Sequence, residues 1–140
     1  MNKEQYSIIA GKRQTYDQLL WQTPVLSLTA QAFLLTIILG AGSSDNARIL
    51  AALLSFITSI ASIILMYKHR YFETESSKCL EKFEKENQDE GYEPCHDHKP
   101  HSDEKVPTLV RISSFTVWIL TLSSFGLVSL IVLIFPCFIE

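Results

Sequence analysis

Charged residues are missing from three long runs of this sequence. Residues 18–44, 49–67 and 112–139 contain no Asp, Glu, Lys or Arg, although the whole chain of 140 residues has 12 basic and 15 acidic side chains. A helix needs about 20 mostly apolar residues to cross the hydrocarbon core of a bilayer, and each run has about that length. Helices of a soluble bundle would need polar faces, which these runs lack. We therefore predict an all-α membrane protein with three transmembrane helices.

The first run is not typical of a cleaved signal peptide. The small residues of LGAGSS would suit a peptidase, but the apolar run exceeds the roughly 7–15 residues of a signal core, and acids as well as bases precede it. We expect this span to be retained. Four segments follow: 1–23, a juxtamembrane amphipathic helix; 24–67, the first and second spans with a short outer loop; 68–111, a cytosolic helical extension and loop; and 112–140, the third span.

An apolar stripe at helical spacing precedes the first span. It contains Tyr6, Ile9, Tyr16 and Leu20, with Arg13 on the same stripe. This pattern predicts a helix over residues 2–22 that lies at the inner membrane surface, with Trp21 at the lipid–water boundary and Pro24 separating it from the span. A solvated extension is the alternative, because short helices are marginal without packing.

Basic residues are rare on one side of the predicted spans. Only Arg48 lies between the first two spans and none follows the third, whereas three precede the first and eight lie between the second and third. Lys and Arg are retained on the cytoplasmic side of membranes. We therefore expect the N-terminus and the 68–111 segment to be cytoplasmic, and the C-terminus to face outward.

Hydroxyl and amide groups interrupt the apolar runs. Lipid cannot satisfy the amide of Gln31, which should therefore face another helix or water. Serines at a spacing of three or four residues let helices approach closely. Packing between the chain's own spans is one interpretation, and a pore lining or an interface between copies is the other. The candidate pore-lining or inter-subunit residues are Ser27, Gln31, Ser55, Ser59, Ser62 and Ser123.

Several cations should lie at one level, where the helices leave the lipid. They are Lys12, Arg13, Lys68, Arg70 and Arg111. Attraction to anionic lipid headgroups explains such a cluster. Alternatively, copies of the chain would arrange these cations around a phosphorylated ligand, because the planar arginine side chain grips phosphate oxygens in pairs. Arg13 and Asp17, one turn apart, would otherwise pair with each other.

The segment PCHDHKPHSDE offers candidate metal ligands. They are Cys95, His96, His98 and His101, a set that could hold zinc. Zinc sites usually draw their ligands from two separate elements, whereas these four crowd into one stretch. We therefore favour a solvated loop, with zinc as the alternative. The three cysteines of the chain do not indicate a disulfide framework.

Sequence patterns of catalysis are missing. The chain has no Gly-rich phosphate loop, no nucleophile elbow and no His-Glu-x-x-His motif, so we do not expect an enzyme. Ion-coupled transporters usually place a charged group within the membrane, and these spans have none. Assembly in the membrane is the remaining mode of action.

The segment KRQTYDQLLWQTPVLSLTAQAFLLTIIL, a short loop, a second span and YKHRYFE together resemble the SLATT-type domains of bacterial antiphage effectors. The layout is also similar to the membrane subunit of the Hailong system. The resemblance implies a pore-forming effector in the bacterial inner membrane, with a periplasmic C-terminus. It further implies control by a nucleotide or oligonucleotide that a cytosolic partner enzyme makes. The third span is an addition to the two-span SLATT plan.

These observations together predict a symmetric homo-oligomer that forms a membrane channel, because closed cyclic symmetry is the usual outcome for identical chains. Polar groups of the spans would line the path, and hydrophobic constrictions would hold it shut. A non-conducting scaffold that tethers a cytosolic partner is the first alternative. A phage-type lysis protein, which kills on expression alone, is the second.

Overall fold

The computed structural model of this chain describes residues 3–40, 42–88 and 113–135, and these residues form three α-helices. They are α1 (Lys3–Leu39), α2 (Asp45–Glu86) and α3 (Ser114–Ile134). At about 1.5 Å per residue, α1 and α2 are about 56 and 63 Å long, and α3 is about 32 Å long. A bilayer core is about 30 Å thick. α3 therefore matches one membrane crossing, whereas α1 and α2 extend well beyond it.

All three helices are long and apolar enough to cross a membrane, which confirms the predicted fold class. The side-chain distribution supports the same conclusion, because large apolar residues cover the outside of the bundle. Leu26 is 70% exposed and Phe33 68% exposed, whereas the polar Gln31 between them is fully buried. A soluble protein would bury such side chains and expose the amide. The chain is a membrane protein.

α1 continues without a break through Pro24, which corrects the prediction of a separate helix at the membrane surface. Proline lacks an N–H group and usually interrupts a helix interior. In membrane helices it is tolerated where neighbouring groups compensate. Here Pro24 is buried within the bundle, and the hydroxyl of the preceding Thr23 donates a 2.8 Å hydrogen bond to the Leu19 carbonyl.

The first part of α1 and the last part of α2 run side by side and form a stalk, defined here as residues 3–20 and 68–86. The Tyr6 ring lies 5.3 Å from the ring of Phe83, and Tyr16 stacks on Phe72 at the same centroid distance. The stripe predicted for the N-terminal helix is therefore present, but it contacts α2 rather than the membrane surface. As predicted, α2 continues past the second span, and it ends at Glu86.

Local signals explain the start of α2 and the turn before it. The Ser44 hydroxyl accepts a hydrogen bond from the Ala47 amide and caps the helix N-terminus. In the preceding turn, the Arg48 side chain donates a 3.1 Å bond to the Gly40 carbonyl. A Cβ atom at Gly40 would lie 2.8 Å from the Thr36 carbonyl oxygen, so this tight turn requires glycine.

In the rest of the bundle, which we call the membrane part, α2 lies between α1 and α3. One apolar cluster joins Ile38 of α1 to Ala51 and Ala52 of α2 and to Val132 of α3. A second cluster joins Leu20, Met66 and Leu122 near the start of the stalk. α3 approaches α2 closely at Gly126, where an added Cβ would lie 3.2 Å from the Ser59 Cβ. The bundle core is therefore apolar at both ends, and small residues meet between them.

Candidate functional site

A cluster of polar side chains lies between the two apolar clusters. We define the polar cluster as Gln31, Ser55, Ser59 and Ser129, which are all buried. The Gln31 Nε2 donates to the Ser55 carbonyl oxygen at 2.9 Å and to the Ser59 hydroxyl at 2.8 Å. Because a carbonyl can only accept, the first bond identifies the end of the amide beside the Ser55 carbonyl as the nitrogen. The Ser55 hydroxyl donates to the other end, Gln31 Oε1.

The polar cluster continues to the third helix. The Ser55 and Ser129 hydroxyl oxygens lie 2.6 Å apart, and Ser129 also lies 2.9 Å from the Phe125 carbonyl oxygen of its own helix. Since the Ser55 hydrogen is directed to Gln31, the single hydroxyl hydrogen of Ser129 is shared between Ser55 Oγ and the Phe125 carbonyl oxygen. Each such bond between membrane helices contributes about 0.6–2 kcal/mol. The polar cluster therefore fastens all three helices at one level.

Five of the six candidate pore-lining or inter-subunit residues lie inside a single chain. Ser27, Gln31, Ser55, Ser59 and Ser62 are buried, and Gln31, Ser55 and Ser59 bond to one another. Packing between the chain's own spans, one of the two interpretations that the sequence left open, accounts for these three residues. Ser123 differs, because it is exposed on α3. A role for any of the six in a pore stays a prediction.

The exposed side of α3 carries a stripe in which hydroxyls and leucines alternate. It contains Thr116, Leu120, Ser123 and Leu127, at the spacing of one helix face. Leu120 is 65% exposed and Leu127 60% exposed, and both serine and threonine in the stripe are exposed as well. The opposite side, with Leu122, Gly126 and Ser129, is buried in the bundle. We call these four exposed residues the α3 stripe.

The stalk has a charged centre of its own. Glu73 is only 4% exposed, and two arginines converge on its carboxylate. Arg13 Nε lies 3.4 Å from Glu73 Oε1, and Arg70 Nη1 lies 3.0 Å from Glu73 Oε2. The Ser77 hydroxyl accepts a 2.6 Å bond from Arg13 and donates to Glu73 at 3.2 Å. Arg13 therefore pairs with Glu73 of α2 rather than with Asp17.

A second buried carboxylate lies near the far end of the stalk. The Tyr6 hydroxyl donates a 2.7 Å hydrogen bond to Oε1 of Glu84, which is almost fully buried. The outer surface carries ion pairs within α2, among them the pair of Lys85 with Glu81. Lys78 donates to Glu75 at 2.9 Å, and this hydrogen bond and the Glu75 charge raise the pKa of the lysine. The stalk thus combines a buried polar seam with a solvated outer surface.

The candidate phosphate-binding residues divide into two groups. Arg13 and Arg70 are engaged with Glu73, whereas Lys12 and Lys68 are exposed. A recess of about 140 Å³ lies beside Arg70 at the start of α3. Its walls include Asp17, Trp21, Ser113, Ser114 and Phe115. The acidic Asp17 offsets the arginine there. Arg111, the fifth candidate, lies outside the described residues.

The candidate metal ligands Cys95, His96, His98 and His101 also lie outside the described residues, so the zinc prediction stays a prediction. Within residues 3–40, 42–88 and 113–135, no three His, Cys, Asp or Glu side chains are grouped as metal ligands would be. Cys79 is a free cysteine exposed on the stalk.

The sequence interpretation missed two features of this site. Ser129 and Gly126 carry the α3 side of the helix contact, yet they lie in a half of the span that is otherwise almost wholly aliphatic. Their three-residue spacing was the available signal, because small residues so placed mark helix contacts in membranes. Glu73 was the second omission. Arg70, one turn earlier on α2, was a local signal, but the second partner, Arg13, is distant in sequence on α1, so a local pattern alone could not predict the burial of this carboxylate.

Comparison of this chain with models of known protein families, with curated proteins and with solved structures gave no match.

Proposed function

We propose that this protein is a subunit of a homo-oligomeric membrane channel or pore-forming effector, and that the α3 stripe lines its path. The observation that supports this proposal is the alternation of exposed hydroxyls with exposed leucines on one face of a membrane helix. Lipid gives a hydroxyl no partner, whereas a water-filled path does. Rings of Leu120 and Leu127 would close the path by dewetting, and rings of Thr116 and Ser123 would hydrate it when open.

A path of this kind needs several copies of the chain. One copy leaves the α3 stripe on its outer surface, where it encloses nothing. Cyclic symmetry about the membrane normal would bring the α3 stripes of all copies to a common axis. The apolar outer faces of α1 and α2 would then contact lipid and neighbouring copies.

The stalk supports control from outside the membrane. It extends α1 and α2 by about 27 Å past the membrane crossing, at about 1.5 Å per residue. The distribution of Lys and Arg favours an inner-membrane protein whose stalk faces the cytoplasm. The resemblance to SLATT-type effectors and the Hailong membrane subunit suggests antiphage defence as the context. In that context the stalk and the 68–111 segment receive a nucleotide-type ligand or a partner protein.

Recordings from purified protein in planar bilayers test the channel, with and without candidate nucleotides and oligonucleotides. Discrete currents under at least one condition are expected, and silent bilayers under every condition would contradict the proposal. For the lining, Ser123→Cys is made in a background with Cys79→Ser, Cys95→Ser and Cys137→Ser. A charged thiol reagent should reduce its current. Ser129→Cys is the matched control, because that position is buried against α2.

A non-conducting scaffold is the second candidate function. The observation that favours it is that the polar cluster is completed within one chain, so Gln31 requires no neighbouring copy. Such a scaffold would hold a cytosolic partner through the stalk and leave bilayers silent. Substitutions in the α3 stripe would then leave recruitment of the partner unchanged.

A further inference from the structure

One buried hydroxyl in the membrane part has no partner in the described chain. Ser27 is 5% exposed, and its Oγ is shielded from solvent without a hydrogen bond. Other hydroxyls of α1 do not share this state. Thr23, Thr29 and Thr36 each donate to a carbonyl of their own helix. A polar group without a partner is costly inside a bilayer, so the position of Ser27 calls for a ligand.

Pro24 leaves an acceptor on the same side of α1, two turns before Ser27. Proline has no N–H group, so the Leu20 carbonyl lacks the amide donor that it would have in an ordinary helix. Leu20, Pro24 and Ser27 lie on one buried stripe of α1. Side chains on a helix point back toward its N-terminus, so the Ser27 hydroxyl lies over the turn between it and Leu20, and the Leu20 carbonyl itself is beyond its reach.

The facing part of α2 is also polar. Leu20 packs with Met66 in one apolar cluster, and Gln31 bonds to Ser59, so α1 and α2 run antiparallel with Ser27 between these two levels. In this register Ser27 faces the turn of α2 that carries Ser62, which is buried as well. Two serines across an interface occupy less volume than the leucines and isoleucines of the adjoining layers.

We infer that this chain binds a water molecule between Ser27 of α1 and Ser62 of α2. A buried water typically makes about three hydrogen bonds to polar groups that would otherwise be unsatisfied. The two hydroxyls supply two of these partners. The water joins α1 to α2 on the stalk side of the polar cluster. This inference goes beyond the proposed channel and holds equally for a non-conducting scaffold.

A double-mutant cycle in detergent tests the inference. Ser27→Ala and Ser62→Ala should each lower the melting temperature by a few degrees. Because both serines bind one water, the losses should not add. The double variant should have about the same melting temperature as the less stable of the two single variants. Thr29→Val is the matched control, because Thr29 is exposed and bonds only within α1, and its melting temperature should not change. An unchanged or raised melting temperature for Ser27→Ala, or fully additive losses, would overturn the inference.

Hydroxyl-radical footprinting with X-rays gives a second measurement, because radicals form from bound water beside the residues that they oxidise. Met66 is fully buried and lies one turn from Ser62. Its oxidation should be faster in the native protein and in Thr29→Val than in Ser27→Ala. Equal oxidation in all three proteins would contradict a bound water, even where the stability changes were as expected.

Discussion

The Gln31 amide donates a 2.8 Å hydrogen bond to the Ser59 hydroxyl, and this bond joins α1 to α2 in the middle of the apolar part of the bundle. Apolar contacts among membrane helices specify little, because lipid tails are as apolar as leucine. A buried amide is different, since a shift of α1 along α2 would leave it without partners. A single polar residue fixes the register of coiled coils in the same way. The polar cluster therefore sets the register of the bundle.

Gln31→Leu should destabilise the bundle by about 1–3 kcal/mol, because it leaves the buried Ser55 and Ser59 hydroxyls without their partner. The measurement is unfolding of the purified protein in mixed micelles with increasing SDS, followed by circular dichroism. Thr29→Val serves as the control, because its hydroxyl is exposed and bonds to the Val25 carbonyl of its own helix. Equal stability of the two variants would show that the polar cluster does not hold the helices together.

Two glycines in helical segments should respond differently to alanine. Gly11 lies in the stalk with no atom within 4 Å of an added Cβ, so Gly11→Ala should stabilise by about 0.5–1 kcal/mol through helix propensity. At Gly126 an added Cβ would lie 3.2 Å from the Cβ of Ser59, which is buried and held by Gln31. Gly126→Ala should therefore not show the stabilisation expected for Gly11→Ala. Gly126→Leu should separate α3 from α2.

Thermal unfolding of both alanine variants and of Gly126→Leu measures this difference. A gain at Gly126 equal to that at Gly11 would mean that α3 does not pack closely on Ser59.

Glu73→Gln should weaken the stalk, because it removes the negative charge from between two arginines. Hydrogen bonds to charged groups contribute about 1.5–3 kcal/mol each, and the partial exposure of Arg13 and Arg70 places the expected loss near the lower value. Glu86→Gln is the matched control on the same helix, since its 3.8 Å pair with Lys82 is exposed and should contribute little. Thermal unfolding in detergent compares the two variants. A loss as large for Glu86→Gln would assign the effect to net charge rather than to the buried carboxylate.

The three spans were predictable because a bilayer imposes one strong rule, that a crossing helix carries almost no charge. The runs 18–44, 49–67 and 112–139 follow that rule, and each corresponds to a helix in the structure. The continuity of the first helix through Pro24 was not predictable from the same rule. A proline normally kinks or breaks a helix, but the buried contacts of Pro24 with the bundle allow α1 to continue.

The candidate site was only partly predictable. Gln31 and the serines were identified because lipid cannot satisfy their side chains, yet whether they face a pore or another span depends on helix rotation. Rotation is set by contacts such as Gly126 with Ser59, whose two residues are distant in sequence. The same limit applies in the stalk, where the apolar stripe of α1 was visible but its partner, α2 rather than the membrane, was not.

Leu120→Ser should open the proposed path. If Leu120 forms a hydrophobic ring between the rings of Thr116 and Ser123, a hydroxyl in its place would wet the constriction and raise the current without added ligand. Expression should then become more toxic, and bilayer recordings should show a larger open fraction. Val128→Ser is the matched control, because Val128 is exposed on a different face of α3. Similar currents from both variants would show that the α3 stripe does not face the axis, because Leu120 is proposed to line the path and Val128 is not.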